Sequence, residues 1–126
     1  MKIFVAGSTG AVGKYLVPQL IVAKHQVAAL VRSPQKIKVV KAAGAEAVVA
    51  NALDKEELTA AIKKTEPEVI IHELTALANF TGNFKRLDEE FSLTNRFRTE
   101  ITDVMLAVAQ QAGTRRFIAQ SFCGWP

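Results

Sequence analysis

Sulfur and phenol chemistry are almost missing from this sequence. It has one cysteine, Cys123, one tyrosine, Tyr15, and one tryptophan. A single cysteine excludes an internal disulfide and any multi-cysteine metal site, and it fits a reducing, cytoplasmic compartment. Histidines and carboxylates do not recur at metal-ligand spacing either. No apolar run approaches the ~20 residues that span a bilayer. The N-terminus runs directly into KIFVAG, without the pattern of a signal peptide. Charge of one sign is not concentrated: the net charge is +4, and its densest pairs are Lys63-Lys64 and Arg115-Arg116. Aromatics alternate with neither pair, which argues against a nucleic-acid face. Diffuse positive charge still favours an anionic small ligand.

The sequence does hold a core. Hydrophobic residues make up 49% and charged residues 22% of 126 positions, as expected for one globular domain over 1–126. Short β-branched runs alternate with longer helical stretches. KIFVA (2–6), VAALV (27–31), AEAVVA (45–50), EVIIH (68–72) and RFIAQ (116–120) read as five strands. Continuous apolar runs of this length suit a parallel sheet covered on both faces.

The intervening stretches carry helix signals. Val12, Leu16 and Leu20 form an apolar stripe, with Pro18 expected to kink the helix. Ser33-Pro34 starts a second helix as N-cap and first-turn proline, and Gly44 ends it. Asp54 and Glu57 resemble a capping box ahead of Leu58, Ala61 and Ile62. The longest helix is expected from about Lys85 to Ala112, presenting Ile101, Val104, Met105, Val108 and Ala112, and ending at Gly113. The order β-α-β-α-β-α-β-α-β with right-handed crossovers predicts an α/β, Rossmann-type doubly wound parallel sheet. Its five strands should lie in the order 3-2-1-4-5, with helices on both faces.

The stretch VAGSTGAVG (5–13) therefore sits between a strand and a helix inside a βαβ unit. That is the context in which a glycine pattern indicates a dinucleotide-binding turn. Gly7 makes the turn, Gly10 lets the backbone approach a pyrophosphate, and Gly13 lets the helix pack closely. Amides over Ala11, Val12 and Gly13 would then face the anion at the positive end of the helix dipole. Ser8 and Thr9 can add hydroxyl donors. A purely structural loop is the competing account.

The spacing Gly-x-x-Gly-x-x-Gly resembles the extended or atypical short-chain dehydrogenase/reductase superfamily, especially its NAD-dependent epimerase/dehydratase branch. Later landmarks extend the likeness over essentially the whole chain. In NALD (51–54), Asn51 stands where the family has an acidic residue near the adenine, with Ala52 beside it. IIHELTAL (70–77) is similar to the segment that runs beside the cofactor riboses, which implicates Leu74, Thr75 and Ala76. TNRFRTE (94–100) resembles an Asn-x-x-Gly-Thr helix motif, with Asn95 and Thr99 matched and Arg98 in place of the glycine. AGTRRFIAQSF (112–122) looks like the family's entry into its fifth strand and its serine-bearing end.

The resemblance implies a nicotinamide dinucleotide and a small-molecule substrate. A carboxylate after the second strand normally accepts from the ribose hydroxyls of NAD, but LVRSPQK offers none. Arg32, nineteen residues beyond Gly13, can pair bidentately with a 2′-phosphate, with Ser33 and Lys36 in support. NADP is therefore favoured over NAD. The alternative is a surface arginine beside a helix cap.

The family's Tyr-x-x-x-Lys pair is absent: Tyr15 is followed four residues later by Gln19. Ser121 is the best match to the active-site serine region, or else a cap for the following turn. His72 lines the pocket or is a hydrogen-bonded structural residue, and Cys123 reads as a structural thiol. The expectation is the cofactor-binding part of an oxidoreductase or sugar-nucleotide epimerase relative, with the family's catalytic and substrate region beyond it. A non-catalytic nucleotide-sensing or protein-interaction module is the alternative. An uncovered fifth strand would favour self-association.

Overall fold

A computed structural model describes residues 1–74 and 87–120. Five strands form one sheet: β1 (Lys2–Ala6), β2 (Gln26–Val31), β3 (Glu46–Val49), β4 (Val69–His72) and β5 (Arg116–Ala119). Their order is β3-β2-β1-β4-β5, and every pairing is parallel. Phe4 sits between Ala28 and Ile70 in register, so the centre of β1 is the centre of the sheet. The doubly wound order expected from the sequence is the order observed.

Because parallel strands are covered on both faces, their side chains feed two cores. On one face Phe4, Leu30 and Ile70 meet Leu58 and Ile62, together with Phe97, Ile101 and Met105. On the other, Ile3, Val5, Val27, Val31 and Ile71 meet Val17 and Val40. Phe4, Leu58, Ile62, Ile70 and Met105 are fully buried, each worth about 1.5–3 kcal/mol of apolar transfer.

Helix α1 (Gly13–Val22) continues through Pro18. Its buried stripe is centred on Val17, flanked by Leu16, Leu20 and Ile21, while Val12 is exposed just before the first turn. Leu16 and Leu20 of the expected stripe pack on the core, with Val17 at its centre, and only Val12, which belongs to the glycine turn, does not. After β2, a 3₁₀ turn (Pro34–Lys36) leads into a short α2 (Ile37–Ala42). Ser33 precedes the turn in extended conformation, but its side chain makes no capping bond. Asp54 caps α3 (Lys55–Thr65) by accepting from the amides of Glu56 and Glu57 at 3.0 and 3.1 Å.

The long final helix is not one α-helix. α4 (Leu87–Arg96) passes through a π-helical turn (Phe97–Ile101) into α5 (Thr102–Ala112), which Gly113 ends at φ +75°. α5 buries Met105, Val108 and Ala109. The expected start near Lys85 lies outside the described residues, as do Thr75, Ala76, Ser121 and Cys123.

Candidate functional site

The three glycines have three different physical roles. Gly7 has φ +86°, and a side chain there would meet the backbone of Glu73 at 2.5 Å. At Gly13 a Cβ would run into the Gly7 carbonyl and the Ser8 backbone. Those two positions are closed to any side chain by backbone that cannot retreat. Gly10 differs: its Cβ would approach only the Gly7 carbonyl, at 3.4 Å. Its amide donates to that same carbonyl at 3.2 Å, which folds the loop back on itself.

This folding leaves a cluster of donors. Lys14 and Tyr15 amides bond to Gly10 and Val12 carbonyls. The amides of Thr9, Ala11, Val12 and Gly13 have no acceptor among the described residues. Unpaired amides at the start of a helix make a ready anion site. Of the two hydroxyls expected to help, that of Ser8 is buried and donates to the Leu30 carbonyl at 3.0 Å. It fastens the turn to β2, while Thr9 lines the cleft beside the turn.

The turn opens onto a cleft of about 110 Å³ at the carboxyl ends of the strands. Gly7 and Thr9 line it from the turn, Arg32 from the end of β2, Asn51 and Ala52 from beyond β3, and Leu74 from beyond β4. A larger groove of about 370 Å³ runs between β3 and α3, with Ala47, Val49, Ala60 and Lys64 on its walls. No residue of the glycine turn lines it, so chemistry rather than size picks out the smaller cleft.

Arg32 is exposed, and neither its guanidinium nor the Ser33 hydroxyl has a hydrogen-bond partner among the described residues, although the Ser33 carbonyl accepts from the Lys36 amide at 3.1 Å. Asn51 is partly committed: its Oδ1 accepts from the Leu53 amide at 3.0 Å. This Asx turn leaves its amide nitrogen and one Oδ1 lone pair for a ligand. Phe97 is a lining residue that sequence reasoning missed. It comes from the π-helical turn, far along the chain, and nothing in its neighbourhood marked it beyond an apolar helical position.

His72 holds that turn in place. Its ring is buried, Nδ1 accepts from the Leu74 amide at 3.2 Å, and Nε2 therefore carries the proton it donates to the Phe97 carbonyl at 2.7 Å. Burial is the main cause holding its pKa below 6.5, against the raising effect of the Phe97 bond, with Arg98 also lowering it. Thr102 Oγ1 donates to the same carbonyl at 3.2 Å. Both ring nitrogens are thus engaged, as in the structural account of this residue. Asn95 lies near the end of α4 and Thr99 within the π-helical turn, where Thr99 Oγ1 donates to the Asn95 carbonyl at 2.8 Å.

A parallel sheet with a crevice where its order reverses, between β1 and β4, and a glycine turn on that crevice define a Rossmann-type dinucleotide fold. Within that class the chain belongs to the NAD(P)H-binding family, whose model matches residues 7–125. It is 40% identical over 121 residues to a 3-diazoavenalumate denitrifying reductase of Streptomyces sp., covering 96% of this chain and 38% of that protein. To the photosystem II assembly factor Ycf39 of a Synechocystis strain it is 30% identical, over 94% of this chain and 32% of that one. The UDP-glucose 4-epimerase of Thermus thermophilus, solved with NAD, has the same fold. Its TM-score is 0.73 at 20% identity, over 93% of this chain and 36% of the epimerase. The chain thus spans between 32% and 38% of the length of these relatives. Among the described residues, no helix is long and apolar enough to cross a membrane.

Proposed function

We propose that this chain is the dinucleotide-holding part of a short-chain reductase or sugar-nucleotide epimerase relative, and that it prefers NADP. The observation that carries the reading is convergence in one cleft. Unpaired amides of the glycine turn, the Arg32 guanidinium and the Asn51 amide come from three separate β-α connections. The residues fit the group: amides and Gly10 for the pyrophosphate, Asn51 for the adenine, and Arg32 with the free Ser33 hydroxyl for a 2′-phosphate. When bound, the nicotinamide would supply hydride transfer, and this chain's residues would fix its position. By resemblance, Thr75, Ala76 and Ser121 would extend the site toward the nicotinamide and substrate.

A calorimetric titration with NADP, then NAD, tests this. Binding of both, with NADP tighter, is expected. No binding of either at millimolar concentration rejects the reading.

One observation favours a second reading, a nucleotide-responsive interaction module: one relative is named as an assembly factor rather than as an enzyme. The two accounts separate on the reading frame after Pro126. A Tyr-x-x-x-Lys pair within the next few dozen residues marks the oxidoreductase.

A further inference from the structure

Burial and hydrogen bonding disagree at one carboxyl beside the glycine turn. Glu73 continues the ladder one residue past β4, its amide donating to the Ala6 carbonyl at 2.8 Å. Its own carbonyl group occupies the space that a side chain on Gly7 would need, so its backbone is the floor of the turn. Side-chain alternation places His72 and Leu74 toward Phe97 and leaves Glu73 on the α1 face of the sheet. There Glu73 is half-buried, and its Oε2 is sealed from solvent with no hydrogen-bond partner among the described residues. An unpaired buried oxygen of this kind calls for an explanation.

Among the described residues, the neighbouring elements supply no compensating charge. Between Lys2 and Lys14, β1 and the glycine turn carry no ionisable side chain. Lys14, at the start of α1, is exposed and lies over the Tyr15 ring at 5.1 Å. β5 brings Ala119 and Gln120 alongside. His72 faces the other way with both nitrogens engaged, and Arg98 acts on that ring. Burial alone raises the Glu73 pKa above 4.5.

We propose that Glu73 couples dinucleotide binding to proton uptake, so that the site holds a phosphate-bearing ligand more tightly as the pH falls. The inference rests on the dinucleotide reading above. The amides that would hold the phosphates belong to the turn whose floor is Glu73. A bound pyrophosphate adds negative charge next to a carboxylate that already lacks a donor, and it displaces water that screens the two. The carboxyl answers by taking a proton from solvent onto an oxygen, which becomes an O–H donor while the ligand's charge is unchanged. By linkage, a ligand that strengthens proton binding at this carboxyl is itself bound more tightly once the proton is on. A tenfold gain in proton affinity returns a tenfold gain in Kd.

NAD is the probe, because its own groups do not titrate across the range used, whereas the NADP 2′-phosphate does. Calorimetry on the whole chain, in two buffers of different ionisation enthalpy, measures protons taken up per NAD bound. Wild type should take up a fraction of a proton and bind more tightly at the acid end of the range, near pH ~5.5, than at about pH 7.5. Glu73→Gln should take up none and bind equally well at both. Glu73→Leu gives the same comparison if the glutamine variant does not fold. Absence of uptake by wild type, or equal uptake by the variants, overturns the coupling. Failure of wild type to bind NAD or NADP at any pH overturns the dinucleotide reading, and the coupling with it.

Discussion

At the residue scale, similar residues with different surroundings give separable predictions. Gly13→Ala puts a methyl group into backbone and should cost a few kcal/mol of stability, read as a lower Tm. Gly10→Ala meets only an ordinary contact. It should leave Tm within about 0.5–1 kcal/mol of wild type and weaken NADP binding, since it crowds the anion. If Gly10→Ala binds normally, the loop is not a phosphate cradle. Arg32→Ala should weaken NADP about 10–100-fold, as for loss of a charge-assisted hydrogen bond, and NAD much less. Equal losses reject the 2′-phosphate role. His72 adds a pH dependence. Its lowered pKa means that the unfolded chain binds the extra proton, so its contribution is complete above 6.5 and is lost as pH falls through the folded value. Thermal melts from about pH 7.5 to 5.5 should fall more steeply for wild type than for His72→Gln. Parallel slopes would remove His72 as the cause. Glu73, with its pKa raised above 4.5, acts with the opposite sign in a lower window. Its contribution is present at acid pH and lost as pH rises through the folded value.

At the element scale, local chemistry was legible wherever it was sufficient. Asp54 followed by Glu57 signalled a helix start, and the cap is there, with two amides on one carboxylate oxygen. Asp54→Ala should cost about 1 kcal/mol, measured by denaturant titration, and should not alter dinucleotide binding. The strands could be read because each is a short apolar run; β1, β2 and β4 feed both cores, whereas β5 contributes only Phe117 to one of them. The π-helical turn could not be read, since 97–101 has the apolar spacing of an ordinary helix. The partner that engages its Phe97 carbonyl is His72, twenty-five residues earlier in the sequence. The bond of the Ser8 hydroxyl could not be read for the same reason: its partner, the Leu30 carbonyl, is a tertiary contact. The short α2 reflects Ser33, whose free hydroxyl does not cap it.

At the scale of the whole molecule, the cleft was legible because the doubly wound order brings the ends of β1 to β4 together whatever their side chains. Its far wall was less so, since Phe97 reaches it only through the packing of the final helix against the sheet. The same topology leaves β5 as an edge strand, hydrogen-bonded to β4 on one side only among the described residues. Phe117 turns toward Met105 and the larger core, but Ile118, on the α1 face, is 50% exposed. No described helix covers it, since α1 and α2 pack over β1 to β3. A strand with free amides and carbonyls and an apolar side chain outward pairs readily with another chain. In the proteins this chain matches, roughly two thirds of the length lies outside the matched region. The occupant proposed for this edge is a second copy of the same chain. Light scattering should show dimers or larger species growing with concentration. Ile118→Lys should shift them toward monomer while changing stability by no more than about 0.5 kcal/mol, as for a surface site. A wild-type chain that stays monomeric at high concentration, or a lysine variant that associates equally well, places the contact elsewhere or removes it.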